Sequence, residues 1–289
     1  MKRVIAELVG SSGGVIGRRD YPELAGLLDD AAKRRELVSV LPGVYAHPDV
    51  AKDWRALVHA VSIWDKSAVI VGEAAAALTY WPELVPRKVE VAGRRARFRR
   101  PGIEVSQRRV PDSLVATLAT VAVADPALTA IDLVPTHGGD SIDRALRSRM
   151  TTLAAMHKAL ELTTGRIDNG DRRRMLLDSR GKPWSEAERF AHRKLRAAGL
   201  VRWHANVPIV CHGQKFYQDI VMDDCPLVIE VDGKIHLRPD IFESDRYRGN
   251  ALLLAGRYVL HFTWKMLHAV PDVFIPTTLQ TMEMLRSGK

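Results

Sequence analysis

The sequence predicts a multidomain protein of the α/β (α+β) class. Its 289 residues are enough for two or three compact domains, and 46% of them are hydrophobic, an ordinary value for globular proteins. Helical periodicity over Pro22 to Arg35 and short β-branched runs such as Leu227 to Asp232 occur in the same chain. We expect a winged-helix DNA-binding module (1–50), a basic α/β middle domain (51–165), a linker (166–183) and a C-terminal domain (184–289).

The first fifty residues have the pattern of a winged helix. Lys2 to Val9 and Pro22 to Arg35 have helical periodicity, and two short strands follow around the Pro42-Gly43 turn as a wing. A basic helix end before a hairpin is the order that presents a helix to the major groove. A small helical lid on the next domain is the alternative. The candidate DNA contacts are the basic residues that end the second helix, Lys33, Arg34 and Arg35.

The middle domain contains a run of five arginines in seven residues. The run connects two predicted strands, Lys88 to Ala92 and Ile103 to Gln107. It is either a solvated hairpin or an arm that grips phosphate, because guanidinium groups pair with phosphate and stack on bases. The candidate contacts to nucleic acid in this run are Arg94, Arg95, Arg97, Arg99 and Arg100.

Three carboxylates lie along two predicted adjacent strands near the C-terminus. Turn residues separate Ile220 to Met222 from Leu227 to Asp232, so the two runs form a hairpin. Glu230 and Asp232 share one strand face, and Asp219 can lie across the hairpin beside Glu230. Mg²⁺ takes oxygen ligands from one or two carboxylates, so this pattern predicts a divalent metal site. Acids at a solvent-exposed strand end are the alternative explanation.

Further motifs surround these carboxylates in a fixed order. They are Ser185-Glu-Ala-Glu188 before them, then Gly233-Lys-Ile-His236, Asp245-Arg246-Tyr-Arg248 and the strand Tyr258 to Trp264. In this order and spacing, the span from Trp184 to Leu267 resembles the very-short-patch-repair-like branch of the restriction-endonuclease-like (PD-(D/E)XK) superfamily. The resemblance implies a metal-dependent nuclease with a mixed sheet flanked by helices.

The resemblance also implies roles for individual residues. Asp219 and Glu230 hold Mg²⁺ or Mn²⁺, and we include Asp232, which replaces the usual lysine, among the candidate ligands. Because of that replacement, the general base stays open between Lys234 and His236, and His236 could instead orient the attacking water.

Three positions around the carboxylates have more than one explanation. The resemblance implies that Glu188 reaches the site from the first helix, but Ser185 and Glu188 also fit a capping box. Arg246 and Arg248 either bind phosphate near the metal or belong to a solvated helix start.

His261 departs from the family pattern, since arginine is common there, and so does the glycine after Arg248.

The front of the chain is similar to AbiEi-type antitoxins, abortive-infection transcriptional regulators with an N-terminal winged helix. The similarity rests on Gly13 to Arg19, Leu41 to Tyr45 and Val71 to Tyr80, and it covers about the first 150 residues. It implies that the chain represses its own promoter or counters a toxin. Neither role needs catalysis.

The charge balance favours a polyanionic partner. Lys and Arg number 43 against 34 Asp and Glu, which gives a net charge of +9 and a pI near 9.7. No apolar run is long enough for a spanning helix, and the N-terminus lacks the apolar core of a secretion signal. We therefore expect a cytoplasmic protein that binds DNA, most simply double-stranded, and not a membrane. A cognate toxin and a second copy of the chain are further possible partners.

These observations lead to two functional expectations. The first is a divalent-metal-dependent endonuclease that hydrolyses DNA phosphodiester bonds in defence or repair. The alternative is an AbiEi-like transcriptional regulator or antitoxin whose nuclease-like domain is inactive. An RNA-processing nuclease is less favoured, because the sequence has no evident platform of stacking aromatics.

Overall fold

The computed structural model describes residues 3–93, 98–181, 183, 185–211, 214–232, 249–250, 252–269 and 271–287. These residues form helices and three β-sheets, so the predicted α/β (α+β) class is confirmed. The chain divides into two compact units, one of residues 1–136 with 148–172 and the other of residues 137–147 with 173–289. No described helix is both long and apolar enough to cross a membrane.

The first unit alternates short helices and strands. Up to residue 132 its elements are α1 (Arg3–Ser11), β1 (Val15–Gly17), α2 (Ala25–Lys33), β2 (Val38–Leu41), β3 (Val44–Ala46), α3 (Trp54–Trp64), β4 (Val69–Val71), α4 (Gly72–Thr79), β5 (Val89–Gly93), β6 (Phe98–Arg100), β7 (Ile103–Gln107), β8 (Val115–Leu118), β9 (Val121–Ala124) and α5 (Pro126–Asp132).

Among the elements that the structure describes, five helices follow, then the four strands of the second unit's sheet and two final helices. In chain order they are α6 (Val134–His137), α7 (Asp140–Arg147), α8 (Leu153–Leu162), α9 (Asn169–Asp178), α10 (Glu186–Ala197), β10 (Trp203–Cys211), β11 (Gln214–Met222), β12 (Leu227–Asp232), β13 (Tyr258–Thr263), α11 (Trp264–Ala269) and α12 (Pro271–Arg286).

The N-terminal helices and hairpin form where the sequence predicts them. β1, β3 and β2 make an antiparallel sheet in that order, with a turn at Gly43, whose φ of +74° suits glycine. Ile5 of α1 and Leu28 of α2 are buried in one cluster with Tyr45 of β3. The order α1-β1-α2-β2-β3 therefore gives two helices packed beside a three-stranded sheet.

The N-terminal sheet shares its core with the segment that follows. Val15 and Val44 are buried in the same cluster as Leu57 of α3 and Ile70 of β4. Residues 1–50 and most of the predicted middle domain thus belong to one compact unit, and the predicted boundary at residue 50 does not coincide with a boundary between the units.

The middle sheet has the strand order β6-β7-β5-β4-β9-β8. Both predicted strands exist as β5 and β7, but they pair in parallel. The hairpin lies between β6 and β7, because Phe98 to Arg100 form a short edge strand that pairs antiparallel with β7. Part of the arginine run is therefore strand and not connection.

The segment predicted as a linker, residues 166–183, contains regular structure. It includes α9 and a short 3-10 helix, Ser179–Gly181. The division between the compact units falls inside α9, between Arg172 and Arg173.

The second unit contains a mixed sheet in the order β10-β11-β12-β13, in which β12 and β13 alone are parallel. Leu195 of α10 and Phe274 of α12 are buried in one cluster with Ile229 of β12 and Phe262 of β13. The aromatic rings of Phe262 and Phe274 meet edge to face, with centroids 4.8 Å apart. The prediction of a C-terminal mixed sheet with flanking helices is confirmed.

Candidate active site

The register of β11 and β12 brings Asp219 beside Glu230. Ile220 pairs with Ile229 in the antiparallel ladder, and one further step along the same register puts Asp219 opposite Glu230. Residues opposite each other in antiparallel strands share one face, with Cβ atoms about 4.5–5.5 Å apart. The two predicted metal ligands therefore lie on the same face of the sheet.

The Asp219 carboxylate is fixed by the backbone of the neighbouring strand. The N–H of Val231 donates to Asp219 Oδ2 over 2.8 Å. Hydrogen bonds to an ionised carboxylate are stronger than those between neutral groups. Asp219 is thereby held close to Glu230, the residue that precedes Val231.

Glu230 is buried, with 4% of its surface exposed, in a strand whose other residues up to Val231 are also buried. A carboxylate in such surroundings is costly unless hydrogen bonds or a cation stabilise it, and a second carboxylate nearby increases the cost. A buried acid beside a half-buried one is an oxygen donor set that suits a hard divalent cation. The residues present therefore fit Mg²⁺ or Mn²⁺.

The described acids bring together a pair of carboxylates and not a triad. Within the described ranges, no three Asp, Glu, His or Cys side chains lie close enough together to hold a metal ion. Asp232, the third predicted ligand, does not complete such a group with Asp219 and Glu230. One or two carboxylates are nevertheless the usual protein contribution to a Mg²⁺ site, with water filling the other positions.

Asp232 lies at the end of β12 and contacts His261. Half of the Asp232 side chain is exposed, and its Oδ2 is 3.8 Å from Nδ1 of His261 on β13. In the parallel register His261 is the partner of Glu230. The sequence marks His261 only as a departure from the family pattern. The parallel pairing of β13 with β12 brings His261 to the carboxylates. No motif within either strand predicts this pairing.

Glu188 has the predicted capping role. Ser185 Oγ accepts a hydrogen bond from the Glu188 backbone N–H at 3.1 Å and donates to its carboxylate at 3.0 Å. Helix α10 packs through Ala191 on the sheet face that carries Ile229. Glu230 alternates to the opposite face. The capping contact is therefore present, and the role of Glu188 beside Glu230 stays a prediction.

Several predicted residues fall outside the described ranges. They are the candidate bases Lys234 and His236, the candidate phosphate contacts Arg246 and Arg248, and three arginines of the middle domain, Arg94, Arg95 and Arg97.

No protein-family model matches the chain, and no curated protein matches it. The two resemblances therefore rest on the motifs and on their spacing.

The arginines of β6 are exposed, and one of them is paired. Arg99 donates to Glu104 Oε1 through Nε at 3.0 Å and Nη2 at 2.7 Å, and Lys88 also binds this carboxylate. Arg100 is exposed beside them. Hydrogen bonds from Lys88 and Arg99 hold the pKa of Glu104 below its usual value. Glu104 thus offsets part of the positive charge at this edge.

Nearby acids partly neutralise the positive charge of the predicted DNA-binding residues at the end of α2. Lys33 lies 3.3 Å from Asp30, and Arg34 lies 3.3 Å from Glu36. Arg35 is exposed and has a φ of +60°. Residues 1–50 carry seven Lys and Arg and seven Asp and Glu, so the N-terminal module has no net charge.

The positive charge of the chain is concentrated in the middle domain. Residues 94–109 contain seven arginines and one glutamate, so they supply six of the nine net positive charges. Two of these arginines, Arg108 and Arg109, follow β7 and are not among the predicted contacts. A count of charge in short windows would have found them.

Proposed function

We propose that the chain is a divalent-metal-dependent endonuclease that hydrolyses DNA phosphodiester bonds in defence or repair. The observation that carries the proposal is the juxtaposition of Asp219 with the buried Glu230 across β11 and β12. A solvated strand end does not explain a glutamate of 4% exposure. The motif resemblance of residues 184–267 supports the same function.

Asp219 and Glu230 are the residues that would hold Mg²⁺ or Mn²⁺. A bound metal would supply activation of water and neutralisation of charge on the phosphoryl group. The half-exposed Asp232 ends β12, and its neighbour His261 lies on the adjacent strand β13. An imidazole nitrogen can donate or accept a hydrogen bond, so His261 is suited to orient a water.

DNA as the partner is supported by charge. The arginines of residues 94–109 create a local excess that attracts a polyanion, and counterion release makes such binding strongly salt-dependent. In this proposal the middle domain provides the electrostatic attraction and the second unit provides the chemistry.

The test is incubation of the purified full chain with supercoiled, linear, mismatched and single-stranded DNA in Mg²⁺, Mn²⁺ or EDTA. Cutting that requires metal, is lost in Asp219→Ala and persists in Asp223→Asn supports the nuclease. Asp223 is a matched control, because its carboxylate lies just beyond the same strand and is paired with His204 at 2.7 Å. Absence of cutting on every substrate, or equal cutting by Asp219→Ala, contradicts the proposal.

The second candidate is an AbiEi-like regulator or antitoxin. The order α1-β1-α2-β2-β3 favours it, because a helix followed by a two-stranded hairpin is the arrangement of winged-helix DNA-binding proteins. In that case the same samples give sequence-selective shifts in gel electrophoresis without cutting. A toxin or a second copy of the chain would then be the protein partner.

A further inference from the structure

A cavity of about 850 Å³ opens at one edge of the middle sheet. Its wall includes Gly93 and Gln107, the last residues of the parallel strands β5 and β7, and Val69, the first residue of β4. All of its lining residues belong to the first compact unit. Small-molecule sites commonly have volumes of this size.

The charged groups of the cavity wall are mainly basic. Lys66, Arg108 and Arg109 line it, with Asp112 as the acid in the lining. Lys66 and Arg109 are exposed, and in the part of the chain that the structure describes neither has an acidic partner. Their ammonium and guanidinium groups are therefore available to a ligand.

A cluster of arginines around Asp132 adjoins this wall. The Asp132 side chain, 4% exposed, is paired with Arg108, with Arg166 at 3.0 Å and with Arg172 at 3.5 Å. Three guanidinium groups around one carboxylate leave a surplus of positive charge. Burial lowers the pKa of Arg166, and although Asp132 opposes this shift, the neighbouring Arg108 and Arg172 add to it.

The same cluster holds the side chain of Arg108 and the backbone of Arg109. Arg108 is held by Asp132, and Arg166 Nη2 donates to the backbone carbonyl of Arg109 over 3.1 Å. A site whose groups are already in place loses less conformational entropy when a ligand binds. The backbone that carries the Arg109 guanidinium is therefore held in place before a ligand binds.

The rest of the wall is largely apolar. Val69, Val110 and Val115 line the cavity together with the small residues Ala92 and Gly93. A ligand that fills it needs an anionic end for the basic groups and an uncharged body for the valines. Arginine and lysine both bind phosphate, arginine through its planar fork.

We infer that this cavity binds a phosphate-bearing ligand of nucleotide size, with its phosphate on Lys66 and Arg109 and its base or sugar against the valines. Either a free nucleotide or the phosphorylated 5′ end of a nucleic-acid strand supplies this chemistry. The inference does not depend on the proposed nuclease, because none of its residues lies in the second unit.

The test is isothermal titration calorimetry of the full chain in EDTA, so that metal-dependent chemistry does not contribute. The probes are AMP, adenosine, and a short oligonucleotide with and without a 5′ phosphate. We expect saturable binding of AMP but not of adenosine. In Lys66→Gln/Arg109→Gln the AMP affinity should fall at least about tenfold, because two charge-assisted hydrogen bonds are lost.

Arg87→Gln is the matched control, since Arg87 is exposed in the same unit but does not line the cavity. Displacement of AMP only by the 5′-phosphorylated oligonucleotide identifies a strand end as the ligand, and no displacement by either oligonucleotide identifies a free nucleotide. The inference is overturned if no phosphorylated probe binds saturably, or if Arg87→Gln weakens AMP binding as much as the double variant does. Both exposed substitutions should leave the melting temperature unchanged.

Discussion

The carboxylate of Asp219 on β11 accepts a hydrogen bond from the backbone N–H of Val231 on β12 at 2.8 Å. Val231 directly follows Glu230 in the chain, so this bond holds Asp219 close to Glu230. In a regular antiparallel pair, the strand N–H groups bond to carbonyls of the neighbouring strand. A side chain takes the place of a carbonyl here, which positions an acid where the sequence motif implies a metal ligand.

Replacing Glu230 with Gln should weaken divalent-cation binding and leave the fold intact. The substitution keeps the shape of the side chain and removes one charge. A unit charge about 4 Å away contributes about 4 kcal/mol at an effective dielectric constant near 20, so the Mn²⁺ affinity should fall at least tenfold. Calorimetry with Mn²⁺ measures this, with Asp223→Asn as control. An unchanged affinity would remove Glu230 from the ligand set.

Replacing Glu104 with Gln should strengthen DNA binding at low salt. The carboxylate engages both Arg99 and Lys88, but Lys88 also pairs with Glu90 at 3.0 Å, so its loss mainly leaves Arg99 without this partner beside the exposed Arg100. The slope of log affinity against log salt should steepen by about 1 for each additional phosphate that these cations neutralise. Fluorescence anisotropy between 50 and 200 mM salt provides the measurement, and Arg100→Gln should change the slope in the opposite direction. If neither change affects the slope, β6 faces solvent and does not contact DNA.

Neutralising Lys33 and Arg34 should change DNA affinity by less than about twofold, as expected for cations already paired at the surface. Both are close to acids, and residues 1–50 have no net charge. Arg100→Gln in the middle domain provides the comparison in the same anisotropy assay. If Lys33→Gln/Arg34→Gln lowers the DNA affinity more than Arg100→Gln does, then α2, and not the middle domain, makes the main DNA contact.

Local sequence patterns predicted the parts of the fold that depend on neighbours in the chain. Helical periodicity located α1 and α2, turn residues located the β2–β3 and β11–β12 hairpins, and Ser185 with Glu188 marked the start of α10. Alternation also placed Glu230 and Asp232 on one strand face. These features follow from residues fewer than about a dozen positions apart.

Pairings between distant segments could not be predicted in this way. The parallel pairing of β5 with β7 depends on an edge strand inserted between them in the sequence. The contact of Asp232 with His261 depends on the pairing of β12 with β13. A sequence pattern gives the period of a strand but not its partner, so both features needed the tertiary structure.

The buried pair of Arg189 and Asp143 should dominate the stability of the second unit. Arg189 is fully buried, binds Asp143 of α7, and donates to the carbonyl of Gly139 at 3.3 Å. Arg189→Met leaves a buried carboxylate without its partner, which costs about 3–5 kcal/mol. Urea unfolding of the full chain measures the loss. Adding Asp143→Asn should recover part of it, and a single variant as stable as the parent would contradict this role.

Acid should destabilise the second unit through His192. Burial, together with the nearby Arg196 and Arg189, lowers the pKa of His192 from 6.5 to about 3. Across the described residues neither of its ring nitrogens has a hydrogen-bond partner, and its ring lies 4.5 Å from that of Trp203. Between pH 6.5 and 3 the unfolded chain binds the extra proton, so stability is complete above pH 6.5 and falls as the pH decreases.

At pH 5 the expected loss from His192 is about 2 kcal/mol relative to pH 8. His192→Phe keeps a ring beside Trp203 and cannot take up the proton, so it should lose less stability than the parent between these pH values. The free energy of unfolding at the two pH values measures the difference. The exposed His157 provides the control, because His157→Gln should keep the pH dependence of the parent. If His192→Phe and the parent lose the same free energy, the acid sensitivity of the unit arises from other groups.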